Sequence, residues 1–379
     1  MKILHVSAYF SPSWAFGGIP RVVEGLSTAQ VSMGHDVSIV TTDAYNKSQR
    51  APVAFFRQDQ NRSVFTLKNC SNQLAYRQCP TPILSSPIKK QIAQADIVHL
   101  HGARNLLLEQ VALYASQKNT PFVVTPNGTQ RRHQSRLKRK WIWDKIFSGT
   151  KKAQRWIAVS EAEKKDLVNE HISPQNISVI PNGVDTKEID LYMNNPTLSK
   201  SPPKEKKIGY LGQISHRKGV QDLIKATLML KNTPINLFIA GNDMGSLETL
   251  KKQAHHAPNI HFLGLLQGDA RLQFLHNLDL LIYPSKNEAF GLVPFEAILC
   301  GTPVVVGDDS GCKEWLSLAG CTHFVPFGQP SELAKIIIQQ LETEQSLTTI
   351  QEWIRNNLSW SSVAQSTTEC YTDILERIS

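Results

Sequence analysis

Short β-branched apolar runs alternate with longer, helically periodic segments along the first half of the chain. KILHVSAYF reads as a strand, RVVEGLSTAQVSMG as a helix, and HDVSIVTTD, ADIVHLHG, PFVVTPNG, RWIAVS and ISVIPNG as later strands. Strands separated by helical crossovers pair in parallel, so the pattern predicts an α/β fold with covering helices. The polar, proline-bearing stretch NNPTLSKSPPKEKK interrupts it, and strands resume with KIGYLGQI, INLFIAGND, IHFLGLL, LDLLIYPS and TPVVVGDD. Proline removes an amide donor and fixes φ, so this stretch suits a linker better than an element. Two Rossmann-like domains are expected, over 1–195 and 196–359. A chain of 379 residues agrees, because one hydrophobic core seldom serves that length. The region from 45 to 86 offers no readable motif.

Both halves open with a strand, a glycine-bearing loop and a helix: FGGIPRVVEGL in the first, LGQISHRKGVQDLI in the second. In open parallel sheets ligands bind beyond the carboxyl ends of strands, so these loops are expected to line a cleft between the domains. Neither matches G-x-G-x-x-G, which argues against nicotinamide and flavin enzymes. At Gly17 and Gly18 the missing side chains let backbone approach a phosphate. The segment PSKNEAFGLVPFEAILCGTPVVV carries the most information and reads as strand, loop, helix, strand. Pro294 suits a first helical turn, which puts Glu296 in that turn and Glu288 in the preceding loop. A carboxylate there can accept from two vicinal sugar hydroxyls. The amides around Phe290, Gly291 and Leu292 are expected to point at an anion beside the helix start.

A glutamate, seven residues, a second glutamate and then Cys-Gly-Thr-Pro-Val-Val resembles the retaining glycosyltransferases of family four, which have the GT-B fold. The resemblance implies that Glu296 holds the ribose of a nucleotide sugar and that Glu288 contacts the transferred sugar. GYLGQISHRKGV is similar to the family's second glycine loop at Gly212, Lys218 and Gly219, with Gln213 in place of the family's arginine and Arg217 just before the matching lysine. Lys218 and Arg217 are thereby assigned to the diphosphate, with Gln213 beside it, and the Gly17–Gly18 pair also matches the family. The HxHG text resembles a family strand end and implies that His101 faces the arriving acceptor, while His99 keeps a structural role. Asn127 stands where the family often has histidine; it can donate to a hydroxyl but cannot take a proton. In the implied reaction a hexose-type sugar passes from a nucleotide diphosphate donor to a saccharide or lipid-linked acceptor in cell-envelope or exopolysaccharide biosynthesis, with retention, without a metal and with no cofactor beyond the donor. Stabilising the departing diphosphate is its main electrostatic task. The last helix, 360–379, is expected to cross back to the first domain as the fold's final helix does. The alternative is a GT-B nucleotide-sugar-binding protein or partner subunit with weak or no transfer, motivated by Gln213 and Asn127; a nucleotide-sugar epimerase is the third reading.

Charge adds one feature. The formal net charge is +9, and residues 131–152 hold nine Lys or Arg against one Asp. Such a patch suits an anionic membrane surface or a phosphate-bearing acceptor. Its apolar residues Leu137, Trp141, Ile142, Trp143, Ile146 and Phe147 spread around a helical wheel instead of forming one stripe, so part of it is expected to pack on the domain. No nucleic-acid partner is expected. No run of eighteen uncharged apolar residues occurs and the start reads as a strand, so the expected location is cytoplasmic, peripheral at the inner face of the membrane. The six cysteines form no CxxC pair, and the neighbours Asp308 and Asp309 would point to opposite faces of an extended segment, so no metal site is expected.

Overall fold

The computed structural model describes residues 1–45, 49–77, 79–129, 147–195 and 205–378. It divides into two compact units, one of Met1–Gly183 with Trp360–Ser379 and one of Val184–Ser359. Most of the basic segment, with Leu137, Trp141, Ile142, Trp143 and Ile146, lies outside the described residues. Among the described residues no helix is long and apolar enough to cross a membrane.

Among the described residues the first unit is built on eight strands: β1 (Lys2–Ser7), β2 (Asp36–Thr42), β3 (Phe56–Asp59), β4 (Arg62–Leu67), β5 (Ile97–His101), β6 (Phe122–Thr125), β7 (Arg155–Ala158) and β8 (Ile177–Val179). Their order is β3-β4-β2-β1-β5-β6-β7-β8, parallel throughout except for the β3–β4 hairpin at the edge. Gln60 and Asn61 both take positive φ (49° and 64°), the backbone that a tight two-residue hairpin turn requires. Alternation along the strands sorts the core. Leu4, Val6, Val98 and Leu100 join one apolar cluster with the helix Leu106–Gln117, while Ile3, Ile97 and Val123 join another with Val363, Tyr371 and Ile374 of the helix Trp360–Ile378. His5 pairs in register with His99 of β5, so both imidazoles lie on the face covered by that last helix.

Among the described residues six strands form the second sheet: β9 (Lys206–Leu211), β10 (Ile235–Ala240), β11 (Ile260–Gly264), β12 (Leu280–Tyr283), β13 (Val304–Gly307) and β14 (Phe324–Val325). The order is β11-β10-β9-β12-β13-β14, all parallel, with the chain reversing direction across the sheet between β9 and β12. β12 and β13 are buried at every position, which is why their text is continuously apolar.

The division falls at Val184, ahead of the proline-bearing stretch expected to mark it. The cause is the helix Thr186–Met193, capped by the Asp185 carboxylate, which accepts from the Glu188 amide at 2.9 Å. Its Ile189 is fully buried, and its acids pair within the second unit, Glu188 with Arg271 and Asp190 with Arg355, each at 2.9 Å. The helix therefore belongs to the unit that follows it, and a boundary read from linker composition came too late.

Candidate active site

In the second unit β9 runs into Gly212, Gln213, Ile214 and Ser215, a single turn over His216–Lys218, and the helix Val220–Met229. Gly219 joins the turn to the helix at φ 73°, and a Cβ there would lie 2.3 Å from the Pro284 carbonyl oxygen just past β12. Only glycine meets both demands. The resulting close approach puts Lys218 against the end of β12. Its Nζ donates to the Tyr283 hydroxyl at 2.7 Å and to the Glu288 carboxylate. Arg217 adds a second cation, with Nη1 3.7 Å from the same Glu288 oxygen and donating to the Asn287 carbonyl at 3.1 Å. The Tyr283 hydroxyl donates to Glu288 at 3.3 Å.

Lys218 is only 5% exposed, and the Glu288 carboxylate facing it offsets the cost of burying its ammonium. Burial by itself raises the Glu288 carboxyl, but Lys218 and Arg217 outweigh burial and hold it below its ordinary value. The Tyr283 hydroxyl is pushed well up, by burial first and then by the neighbouring Glu288 charge. Backbone fixes the acid as well: Glu288 bridges to Ser310, and its carbonyl accepts from the Gly311 amide at 2.8 Å. The Gln213 carbonyl accepts from the buried Tyr210 hydroxyl at 2.8 Å, so Gln213 is held through its main chain.

Glu296 has other partners. Its carboxylate lies 2.5 Å from Nη1 of Arg271, which reaches Glu188 with Nη2 at 2.9 Å, and both Arg271 and Glu296 are buried. The helix Leu292–Leu299 follows Gly291 as its N-cap, so Glu296 is its fifth residue and Pro294 its third, with no acid in the first turn. The expectation of Glu296 in the first turn was short by one residue. Pro294 is tolerated at the third position because the first four amides of a helix have no helical acceptor. No side chain caps this helix start. Phe290 just before it is buried and stacked on Phe295, with centroids 5.0 Å apart, which packs the Gly291 turn against the unit's own core.

The first unit gathers a different set. Gly17 takes φ 104° and caps the helix Gly18–Ser32, while a Cβ at Gly18 would meet nothing within 4 Å. Conformation thus requires glycine at 17, and open space lies beside 18. His101, at the end of β5, sits with its Nε2 2.9 Å from Nδ1 of His5, and Nε2 of His5 is 2.7 Å from Oε1 of Gln30. The ring nitrogens of His99 meet the Tyr371 hydroxyl at 2.5 Å and the Thr125 hydroxyl at 2.6 Å. Burial lowers all three imidazoles: His5 to about 4, with the Gln30 contact opposing and the Arg62 charge adding to burial, and His99 and His101 well below the ordinary histidine value, where the neighbouring rings add to the effect. All three are therefore neutral at pH 7. Asn127 takes φ 51°, and its side-chain oxygen accepts from Asn182 at 2.8 Å.

Within the second unit the structure thus brings Arg217, Lys218 and Glu288 together beside Gln213, and gives Glu296 a separate ion pair. Reading the text missed Arg271, Tyr283, Tyr210, His5 and Gln30. A tyrosine at the last position of an otherwise aliphatic strand, next to a lysine-bearing loop, was a usable signal for Tyr283 alone.

Known proteins place these units. The family described as Glycosyltransferase Family 4 matches residues 16–188, and that described as Glycosyl transferases group 1 matches residues 195–357. The chain is 24% identical to the glycogen synthase of Mycobacterium tuberculosis, covering 98% of this chain and 94% of that protein. It is 26% identical to the GDP-mannose:cellobiosyl-diphosphopolyprenol alpha-mannosyltransferase of Xanthomonas campestris, over 81% of this chain and 79% of the other. Among solved structures, Anabaena HepE in complex with UDP-glucose superposes with a TM-score of 0.71 at 20% identity, covering 98% of this chain and all of HepE.

Proposed function

The chain belongs to the family-four glycosyltransferases, and on that premise we propose that it moves a hexose-type sugar from a nucleotide diphosphate donor to a saccharide or lipid-linked acceptor, with retention and without a metal. The observation that carries this reading is the cluster of Lys218, Arg217 and Glu288 where β9 and β12 end. An ammonium has three donors. Tyr283 and Glu288 take two from Lys218, and a phosphate oxygen takes the third. As a diphosphate draws Lys218 and Arg217 to itself, Glu288 exchanges cations for the hydroxyls of the sugar. Glu296, oriented by Arg271, holds the ribose.

The bond from the anomeric carbon to the phosphate oxygen breaks while the acceptor oxygen bonds on the same face, so negative charge builds on the diphosphate. Once donor binding has drawn Lys218 and Arg217 onto the diphosphate, they stabilise this charge without further reorganisation during the transfer. The acceptor proton passes to the departing phosphate, so no protein nucleophile is required. A polyprenol-linked acceptor in one relative's name and glycogen in another's support an acceptor that is a saccharide, free or lipid-linked. The basic segment 131–152 is assigned to an anionic membrane surface, which fits a lipid-linked acceptor.

A panel of UDP-, GDP- and ADP-hexoses tests the reading by thermal shift and by transfer of labelled sugar. A nucleotide at a hundred times its Kd adds about 2.7 kcal/mol of apparent stability, and one donor of the panel is expected to do so and to be consumed. No shift and no transfer with any of them would end the proposal. A shift without transfer would favour the second reading, a nucleotide-sugar-binding protein, which Gln213 in the family's arginine position supports.

A further inference from the structure

The histidine chain of the first unit has a direction. A side-chain amide oxygen only accepts, so Nε2 of His5, 2.7 Å from Oε1 of Gln30, carries a proton. His5 is neutral, which leaves a lone pair on its Nδ1. Nε2 of His101 faces that lone pair at 2.9 Å and must be the donor. The remaining nitrogen of His101, Nδ1, is buried and has no hydrogen-bond partner among the described residues. One orientation of one glutamine thus propagates through two rings.

Three imidazoles with ligand atoms within 4.8 Å also outline a metal site. Both nitrogens of His99, however, are engaged by Tyr371 and Thr125, and coordination at His5 or His101 would break the chain. The geometry favours an ordered proton arrangement over a metal.

We propose that Gln30 and His5 are positioning residues for His101: they lock its ring as the Nε2–H tautomer and so present Nδ1 as a hydrogen-bond acceptor for a hydroxyl of the sugar substrate. This rests on the reading of the chain as a sugar transferase. The opposite tautomer would offer a donor at the same place and would favour an ether or carbonyl oxygen instead. Shielding from bulk water makes the bond to such a lone pair stronger than in solvent, and sequestration within the unit reserves it for a group that enters with the substrate.

Nitrogen-15 spectra of the full chain with labelled histidine read the tautomer directly, with His101→Gln used to assign the signal. Wild-type protein is expected to show His101 protonated at Nε2. Gln30→Met keeps the volume but removes the acceptor; it should give a mixture of tautomers and lower kcat about tenfold, the loss of one ordered hydrogen bond, with the donor KM unchanged. A wild-type His101 protonated at Nδ1, or a Gln30→Met protein with unaltered tautomer and kcat, overturns the inference. If Gln30→Met does not fold, the wild-type spectrum decides. Transfer with the wrong tautomer sinks this inference alone, whereas the expected tautomer without transfer from any sugar nucleotide sinks the reading beneath it.

Discussion

The two units share a parallel sheet wrapped by helices, and both carry candidate groups near the carboxyl ends of their strands, yet those two candidate clusters are of opposite kind. The first holds three neutral imidazoles linked to Gln30, Thr125 and Tyr371. The second holds ion pairs, Lys218 and Arg217 with Glu288, and Arg271 with Glu296 and Glu188. Burial disfavours an isolated charge in either place. Histidine meets that cost by releasing its proton at neutral pH, while lysine, arginine and glutamate meet it by pairing. The fold therefore does not set the electrostatics; the residue types at the strand ends do. A site of paired ions can trade one anion for another, which suits a diphosphate. A neutral network offers hydrogen bonds without charge, which suits hydroxyls.

The change expected to disturb this contrast most is Glu288→Gln, which removes the anion from the charged cluster and leaves Lys218 buried without its carboxylate. Turnover should fall at least a hundredfold, in the range of deleting one preorganised electrostatic contact. The ligand-free protein should lose about 3 kcal/mol, the scale of breaking a buried ion pair from one side. The Lys218 contact thus makes the damage fall on stability as well as on turnover. Because a diphosphate supplies the missing negative charge, a nucleoside diphosphate should stabilise the variant by more than it stabilises the wild type. Calorimetry with and without the nucleotide checks this, and an equal gain in both proteins would remove Lys218 from the phosphate site.

The contrast between neutral and ionic sites was largely hidden in the text, although the scaffold was not. β-Branched runs marked most strands, and the parallel order followed from the helices between them. The segment from Pro284 to Val306 was legible as strand, loop, helix and strand because its apolar runs, its glycine and its proline each act locally. The β3–β4 hairpin escaped because its alternation is brief, though Gln60-Asn61 was a weak turn signal. Arg271 could not be found, since a charged residue on the helix Gly268–His276 normally reads as a solvated face; only the approach of two other elements gives it Glu188 and Glu296. His5 was concealed in the same way: one polar letter in a strand becomes part of a chain only when β1 and β5 pair in register.

Acid should separate the two units. The folded pKa of His5 is depressed to about 4 from an ordinary 6.5, so between those values the unfolded chain binds the extra proton. Stability is then fully present above about pH 6.5 and falls as pH drops toward 4, by roughly 3 kcal/mol for a shift of this size. Glu288 is also depressed, but from the lower carboxylate value, so its contribution is lost only below the ordinary carboxylate range. Hydrogen exchange at pH 7 and pH 4.5, corrected for intrinsic rates, should show protection falling in β1 and β5 while β9 and β12 keep theirs. Equal loss in both sheets would contradict the assignment of the neutral imidazoles of β1 and β5, and not the Lys218–Glu288 pair, as the groups that titrate in this range.

The smallest effect is expected from Gln213→Arg, which restores the family's cation to the glycine loop. An added charge-assisted bond to phosphate is worth about 1.5 to 3 kcal/mol where no cation already serves. Here Arg217 stands 3.7 Å from Glu288 beside Lys218, and Gln213 is tied down by its carbonyl, so a second arginine would compete for an anion already faced by two cations. Turnover should change by less than tenfold, with the donor KM somewhat lower. A gain of a hundredfold or more would mean that Arg217 does not supply the missing charge and that the ionic site is incomplete as it stands. A matched Arg217→Gln variant makes the comparison decisive: the single change should slow transfer, and Gln213→Arg in the same chain should recover it only if the two positions serve one phosphate.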